Sequence, residues 1–217
     1  MHTYVRTLQT ISSRYAPSRI LSFDIAHIFK ALQIIEDRGH ASRTLLCQEL
    51  NLGEGAVRTL IKHLKMKELI ETSNAGTKMS DKGKKFFAEI LTCLPKGCSL
   101  PKCSIALGKY NYVVLLKQFS FAVKSGIEQR DASIKMGALG ATTLLFSKGK
   151  FVMPNTNIML DPLKKEPSIY ELLVKKLEPV EGDVIIIGSD DINRQTAELA
   201  AKNAALLTLI NHKKHTK

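Results

Sequence analysis

The sequence predicts a mixed α+β chain with two domains, an N-terminal winged helix-turn-helix and a small C-terminal α/β domain. Residues 42–83 have the order helix, tight turn, second helix and glycine-tipped hairpin. Two prolines and one glycine follow within 94–102, and beyond them short β-branched runs alternate with helical segments. We therefore divide the chain into a first domain at 1–95 with an extension at 1–20, a linker at 96–103 and a second domain at 104–217.

The first domain is predicted to contain a core helix over residues 22–37, before the helix-turn-helix. That helix stops at Arg38-Gly39, and its inward face is formed by Ile25, Ile28, Phe29, Leu32 and Ile35. The extension is less regular. There Val5, Leu8 and Ile11 fit either one face of a short helix or a strand that docks on another chain.

Residues 42–67 predict the two helices and the turn of the helix-turn-helix. Ser42 is placed to cap the first helix, and Asn51-Leu52-Gly53 supplies residues that tolerate the left-handed backbone of a tight turn. The second helix begins near Glu54. Its buried stripe is predicted to be Val57, Leu60, Ile61 and Leu64. Its outward residues are predicted to be Arg58, Thr59, Lys62, His63 and Lys65.

A hairpin with its tip at Asn74-Ala75-Gly76 is the predicted wing, and Ser80 is placed to cap a further helix that ends near Leu94. From Arg58 to Lys85 the chain has eight basic and three acidic residues. A solvated helix face would explain such an excess. Together with the turn and the wing it favours nucleic-acid binding, although a winged helix can also serve only in protein docking or dimerisation.

We predict that the second helix enters the major groove of DNA with Arg58, Thr59 and Lys62 nearest the bases. Ser42 and Arg43 would meet phosphate, and Lys78 on the wing would reach the minor groove or the backbone. The full set of predicted DNA-binding residues is Ser42, Arg43, Glu54, Arg58, Thr59, Lys62, Lys65, Lys78 and Lys82.

Two stretches of the chain resemble known families. Gly53-Glu-Gly-Ala-Val-Arg-Thr-Leu-Ile61, Leu69-Ile70, the wing and Met79-Ser-Asp-Lys-Gly83 resemble the winged-helix domains of archaeal transcriptional regulators, in which a similar GEG-x-VRT opens the recognition helix. That resemblance covers residues 20–95 and implies DNA binding as a class, without an operator. Residues 126–146 and 181–191 are similar to an archaeal domain of unknown function that travels with this winged helix, and this resemblance implies no chemistry.

The composition is that of a soluble protein with a strong positive charge. The 217 residues are 44% hydrophobic and 24% charged, with a formal net charge of +12. A positive electrostatic field favours binding to polyanions, so association with RNA or the ribosome stays an alternative. Adaptation of a whole proteome to salt or temperature would also give a positive net charge. The sequence has no apolar stretch of the length of a secretory signal or a membrane span, so we expect a cytoplasmic protein without a membrane partner.

Three of the four cysteines lie close together, at Cys93, Cys98 and Cys103. Zinc sites usually have paired Cys-x-x-Cys motifs and four ligands, whereas here there are three thiols, no such pair and no nearby histidine. A linker that carries thiols is therefore favoured over metal binding or redox sensing. We predict no metal site and no cofactor.

The second domain is predicted to contain strands, helices and one hairpin at 147–150. Strands are predicted within 110–121, at 141–146 and at 184–187, helices at 127–136, at 168–177 with Ser168 as cap and at 192–210, and a loop at 154–166. The tail from His212 is predicted to be disordered.

Two places in this domain could bind a ligand. Ser189 and Asp190 follow an apolar strand and precede a helix, where they would serve either a ligand or the helix cap. Arg130 and Asp131 begin another helix, where Arg130 could clamp a carboxylate or form a salt bridge between helices. No nucleotide-binding glycine pattern and no nucleophile motif occurs, and His27 is expected to be a packed core histidine. We therefore predict no enzyme.

The combined expectation is a cytoplasmic DNA-binding transcriptional regulator. It would form a homodimer through the second domain or the first 20 residues, and a small-molecule effector could bind the second domain. The alternatives are a small-molecule-binding or enzymatic α/β domain with an accessory winged helix, with Asp131, Asp190 or Asp191 as acid–base groups, and an RNA-associated protein.

Overall fold

The computed structural model describes residues 2–13, 21–154 and 162–212. The chain divides into two compact units, Met1–Ile90 and Leu91–Lys217, each with its own core. Within the described ranges, none of the helices combines the length and the apolar character that a membrane crossing requires. The predicted mixed α+β class is confirmed by the helices and the two sheets.

The first unit contains five helices and a two-stranded sheet within its described residues. The helices are α1 His2–Ile11, α2 Ile25–Arg38, α3 Arg43–Leu50, α4 Glu54–Met66 and α5 Asp81–Leu91. The strands are β1 Ile70–Ser73 and β2 Gly76–Met79. In the extension, the helical alternative is confirmed over α1, where Val5, Leu8 and Ile11 are buried. Residues 14–20 of the extension lie outside the described residues.

Helix α2 has the predicted inward face and a start that the sequence prediction missed. The five apolar residues named above are all buried. Asp24 caps the helix, because its carboxylate accepts a hydrogen bond from the Ile25 N–H at 2.7 Å while the Asp24 N–H donates to His27 Nδ1 at 3.0 Å. His27 is therefore a packed histidine that completes a capping box, which places it in the core as predicted.

The helix-turn-helix has the predicted geometry. Ser42 Oγ accepts a hydrogen bond from the Leu45 N–H at 3.1 Å and so caps α3. Asn51 has the left-handed backbone that the turn needs, with φ 53° and ψ 44°, and Gly53 is extended ahead of α4. The predicted apolar stripe of α4 is buried, so the opposite face of this helix is directed away from the core.

The wing is an antiparallel hairpin whose second strand is tied near its tip to Ala41, two residues before α3. The register of β1 against β2 places Ile70 opposite Met79 at the base of the hairpin and Ser73 opposite Gly76 near its tip. Ala41 forms an antiparallel bridge with Thr77, with N···O distances of 2.8 and 2.9 Å. Gly76 has φ +120°, and a Cβ there would lie 3.0 Å from the Ala41 carbonyl oxygen, so glycine lets the hairpin approach α3.

The second unit has one five-stranded antiparallel sheet with strand order β3-β4-β7-β5-β6. The strands are β3 Lys96–Leu100, β4 Tyr110–Leu116, β5 Gly140–Ser147, β6 Lys150–Val152 and β7 Val184–Asp190. The helices are α6 Ile127–Ile134, α7 Pro167–Leu177 and α8 Arg194–Asn211, with a short 3-10 turn at Ser120–Ala122.

Helices cover both faces of this sheet. On one face the apolar side of α7 packs in a cluster with Leu115, Leu144 and Ile187. On the other face α8 lies so close to β7 that a Cβ on Gly188 would be 2.4 Å from the Ala197 carbonyl oxygen. The result is a layered domain with the central strand β7 fully buried.

The predicted linker at 96–103 is wrong over its first half, because Lys96–Leu100 forms the edge strand β3. Cys98 and Leu100 pack on the apolar core, while Pro95 and Pro101 lie just outside the strand. Proline is tolerated at these two positions because they lie outside the strand and need not donate an N–H to the sheet. The Pro and Gly content therefore indicated a break where the structure has a short strand.

Several predicted boundaries in the second unit also differ. Ser168 does not cap α7, since Pro167, which lacks an N–H and has a fixed φ, occupies the first turn after Glu166. Strand β7 continues to Asp190, and Asn193 caps α8 by accepting a hydrogen bond from the Gln195 N–H at 2.8 Å. Strand β4 ends at Leu116 rather than within 117–121, and α6 ends at Ile134.

The remaining differences lie at the end of α5, in the predicted loop and in the tail. Helix α5 ends at Leu91, before the predicted end near Leu94. The predicted loop 154–166 lies largely outside the described residues, which omit 155–161. The predicted disordered tail begins at His212, which is buried, and its remaining residues 213–217 lie outside the description.

Candidate nucleic-acid interface

Helix α4, the start of α3 and the wing enclose an open groove of about 650 Å³. Ala41, Ser42 and Arg43 form one side, and the outward face of α4 forms another. The hairpin closes the groove from residue 72 to residue 77. The remaining lining residues, all from α4, are Arg58, Ile61, Lys62, Lys65 and Met66.

The groove is strongly cationic. Arg43, Arg58, Lys62 and Lys65 are exposed, and among the described lining residues there is no Asp or Glu. Lys65 Nζ donates a hydrogen bond to Thr72 Oγ1 on the wing at 3.0 Å, which joins the helix to the hairpin across the groove. Four positive side chains without a lining carboxylate create a positive potential suited to a phosphate backbone.

Glu54 lies at the edge of this groove and pairs with one of its arginines. The distance from Arg58 Nη2 to Glu54 Oε1 is 3.1 Å, and both side chains are about two-thirds exposed, at 69% and 68%. Such an exposed pair is weak, because water and salt screen it. The pairing with Glu54 therefore leaves Arg58 available to another acceptor.

Five predicted DNA-binding residues lie together along the groove: Ser42, Arg43, Arg58, Lys62 and Lys65. Thr59 is half-buried and donates a hydrogen bond to the Gly55 carbonyl oxygen at 3.0 Å. Lys78 lies on the wing strand and pairs with Glu71 at 3.1 Å. Lys82 does not line this groove and pairs with Glu68 at 2.6 Å.

The prediction that His63 lies on the outward face of α4 is wrong. Its side chain is buried, with 5% exposure, its Nδ1 lies 2.8 Å from the Ile11 carbonyl oxygen and its ring meets Phe23 edge-on. The physical reason is that α1 adds a second partner to α4 and so widens the buried arc of that helix. The spacing of Val5, Leu8 and Ile11 in the extension was the signal that pointed to such a partner.

Sequence reasoning missed several residues that line the groove, among them Met66 and Thr72. Met66 is 55% exposed at the end of α4, and Thr72 bonds to Lys65 across the groove. The alternation of a β-strand placed Thr72 on the same side as the buried Ile70, which was a usable signal for a residue that faces α4. Met66 carries no comparable signal, because methionine is more often a core residue.

The predicted ligand residues Ser189 and Asp190 hold loops in the second unit. Ser189 is buried and its Oγ accepts a hydrogen bond from the Leu107 N–H at 3.2 Å. Asp190 Oδ2 accepts from the Ile192 and Asn193 N–H groups at 3.0 and 2.6 Å. Both residues belong to β7, which lies in an antiparallel sheet. They therefore do not lie at the carboxyl edge of a parallel sheet, where α/β proteins commonly bind their ligands.

Arg130 and Asp131 pair with each other within α6 rather than between helices. The Nη2···Oδ1 distance is 3.0 Å and both side chains are about half exposed. Asp131 also lines a cavity of about 320 Å³ between α6 and α8, together with Glu128, Lys135 and Thr208. This cavity has charges of both signs and gives no clear preference for a ligand.

The cysteines of the second unit pack against its core. Cys93 is buried, and Cys98 and Cys103 are half-buried. Burial raises the pKa of each of these three thiols, which keeps them protonated at neutral pH. Within the described ranges, no cluster of three or more His, Cys, Asp or Glu side chains is placed to hold a metal ion.

The fold and the groove define a winged helix-turn-helix domain followed by an antiparallel α+β domain. Residues 31–85 match the family model of the PH0730-like N-terminal domain, and residues 107–209 match that of a domain of unknown function, DUF4443. The solved structure titled hypothetical protein PH0730 from Pyrococcus horikoshii OT3 has a TM-score of 0.67 and 21% sequence identity. The match covers 90% of the present chain and 95% of the Pyrococcus chain. No curated protein matches the chain.

These matches agree with the resemblance drawn from the sequence at the level of the fold. The N-terminal match is to a winged-helix family with an archaeal member of solved structure, and the C-terminal match is to a domain of unknown function. Neither of the two family descriptions nor the name of the Pyrococcus protein specifies a regulator, a ligand or a nucleic acid.

Proposed function

We propose that this protein is a DNA-binding transcriptional regulator whose winged helix docks on double-stranded DNA. The observation that carries the proposal is the groove between α4 and the wing, with four exposed cations and no lining carboxylate among the described residues. A helix-turn-helix places its second helix in the major groove, and the exposed face of α4 carries the side chains that such docking uses.

Each groove residue has a role in this proposal. Arg58 and Lys62, on the exposed face of α4, reach base edges in the major groove. Ser42, Arg43 and Lys65 contact phosphates on either side, and Lys78 contacts the backbone from the wing. Thr59 lies beside them, although its hydroxyl is already bonded to the α4 backbone. DNA binding, rather than catalysis, is then the activity of the chain.

The proposal includes a homodimer acting in the cytoplasm. A single winged helix buries little surface on DNA, and two linked copies on paired half-sites gain affinity because the second contact becomes intramolecular. The second unit has the size of a domain that could hold two copies together or bind an effector.

The test is a binding assay on the full-length chain. DNA fragments recovered by genome-wide mapping of bound sites would be labelled, and their affinity measured by fluorescence anisotropy. The double variant R58A/K62A should lose at least about tenfold in affinity. The matched control K84A/K150A removes the same charge from exposed lysines outside the groove and should bind almost as the parent does.

Two results would refute the proposal. The first is equal affinity of the parent for duplex RNA and for every mapped DNA, since base reading in the major groove would then be absent. The second is an equal loss of affinity in R58A/K62A and in the control variant, since the net charge and not the groove would then carry binding.

A further inference from the structure

A second groove, distinct from the one assigned to DNA, lies between α1, α5 and the connection from α4 to β1. Its volume is about 640 Å³. This is within the range of pockets that bind small molecules. The lining residues are Tyr4, Thr7, Lys67, Leu69, Lys82, Lys85 and Phe86, and none of them lines the first groove.

The floor of this groove is apolar and aromatic. Leu69 and Phe86 are buried beneath it, with 2% and 5% exposure. The Tyr4 ring meets the Phe86 ring edge-on, with centroids 5.7 Å apart and an interplanar angle of 69°. A flat or branched apolar group would find a ready contact surface here, since aromatic rings favour edge-to-face and offset neighbours.

The rim of the groove is cationic. Three of the seven lining residues are lysines, and no Asp or Glu is among the described lining residues. Glu68, which lies outside the lining, pairs with Lys82 at 2.6 Å, and the hydrogen bond and charge of Lys82 lower the pKa of Glu68. Lys82 therefore already holds a carboxylate at the mouth of the groove. The proposed DNA contacts do not use Lys67 or Lys85.

We propose that this groove binds a small organic carboxylate with an aromatic or branched apolar body. The apolar body would rest on Tyr4, Leu69 and Phe86, and the carboxylate would bind the lysines of the rim. The charge complementarity selects an anion, because an uncharged molecule of the same shape gains only the floor contacts.

The site lies at the connection between the recognition helix and the wing. Lys67 and Leu69 flank Glu68, which has a left-handed backbone with φ +59°. The Glu68 carbonyl oxygen accepts a hydrogen bond from Ser80 Oγ at 2.6 Å. A bound carboxylate that replaced Glu68 at Lys82 would release one of the contacts that hold this connection. Ligand binding would then change DNA affinity, and this coupling rests on the proposed function.

The test uses the full-length protein without DNA and 3-(4-fluorophenyl)propionate as the probe, followed by ¹⁹F NMR. The probe should bind with a dissociation constant of about 1 mM or below, and its primary amide at least about tenfold more weakly. The variant K67Q/K85Q should weaken the carboxylate about tenfold and leave the amide unchanged. The control K84Q/K150Q removes equal charge outside the groove and should bind the probe as the parent does.

Equal affinity for the carboxylate probe and its amide would overturn the proposal. So would an equal loss of affinity in the control variant K84Q/K150Q, or no broadening of the ¹⁹F line up to about 5 mM probe. Thermal unfolding of each variant would show whether the lysine substitutions leave the fold intact.

A final arm adds the probe to the anisotropy assay. Probe binding with unchanged DNA affinity would refute the coupling, and probe binding by a protein that binds no DNA would refute the proposed function alone.

Discussion

The buried imidazole of His27 links the start of α2 to pH. Its Nδ1 accepts a hydrogen bond from the Asp24 N–H, which the neutral ring can do and the protonated ring cannot. Burial lowers the pKa of His27 from 6.5 to about 4, with a smaller contribution from Lys30, while Asp24 acts in the opposite direction. The folded protein therefore favours the neutral ring.

We expect the free energy of unfolding to fall as the pH falls from 7.5 to 5. An unfolded histidine binds a proton near pH 6.5 and the folded one near pH 4, so the unfolded state gains protons first. This contribution is fully present above pH 6.5 and is lost as the pH falls toward 4. Its size between pH 7.5 and 5 is about 2 kcal/mol. Urea unfolding at both values measures it.

The variant H27Q supplies the comparison for this prediction. Glutamine at the third position of a capping box keeps an acceptor for the Asp24 N–H and does not titrate, so its stability should change little between the same two pH values. The exposed His40 serves as control, and H40Q should keep the slope of the parent. An unchanged slope in H27Q would show that His27 is not the titrating group.

Arg58 is the residue for which we expect the largest effect on sequence preference. Its side chain is 69% exposed in the groove and is held by Glu54. On the proposed function, R58A should lower affinity for the preferred DNA by about 1–3 kcal/mol and flatten the ranking of sequences. Competition binding with a library of variant sites measures both effects. R58K should not restore the ranking, because lysine lacks the two-pronged geometry of a guanidinium.

At the scale of elements, two glycines in helices of the first unit should respond oppositely to alanine. A Cβ on Gly83 in α5 would lie 1.9 Å from the Leu69 carbonyl oxygen, which is backbone and cannot turn aside. G83A should therefore destabilise the unit by about 3 kcal/mol or more. A Cβ on Gly55 in α4 would have no neighbour within 4 Å, so G55A should stabilise by up to about 1 kcal/mol.

Chemical denaturation of both variants tests this pair, since a common loss would mean that the approach of α5 to Leu69, in the connection from α4 to β1, is not the cause.

Local signals in the sequence suffice for some elements and not for others. Helices α3 and α4 begin where the sequence predicted, because caps and apolar stripes are local features. Strand β3 was missed because it is defined by its pairing with β4, which no pattern within 96–100 reveals.

At the scale of the whole molecule, net charge and groove charge make different predictions. The chain has a formal charge of +12, whereas four cations line the proposed DNA groove. If those four replace counterions, the logarithm of the affinity should fall against the logarithm of salt with a slope of about −4 per bound protomer. Anisotropy titrations from low to moderate salt measure the slope, and R58A should reduce it by about 1.

A slope steeper than about −8, unaffected by R58A, would assign binding to the diffuse field of the whole chain. That outcome would favour the alternative of general polyanion association that the composition left open. A slope near zero would contradict phosphate contact altogether.

The sequence by itself determined the order of the elements from α2 to α5 and most of the outward residues of α4. Helix caps, the left-handed Asn51 and the glycine of the wing act within a few residues, so they can be read from the chain. For the same reason the outward positions of Arg58 and Lys62 followed from helical spacing alone.

Only the tertiary structure decided which charged and polar residues share a surface. It buried His63 against α1, separated Lys82 from the cations of the first groove and used Ser189 and Asp190 to hold loops. Each of these outcomes depends on a contact between segments far apart in the chain. Spacing along one helix or strand fixes the direction of a side chain, but the partner that it meets is set by packing of the whole domain.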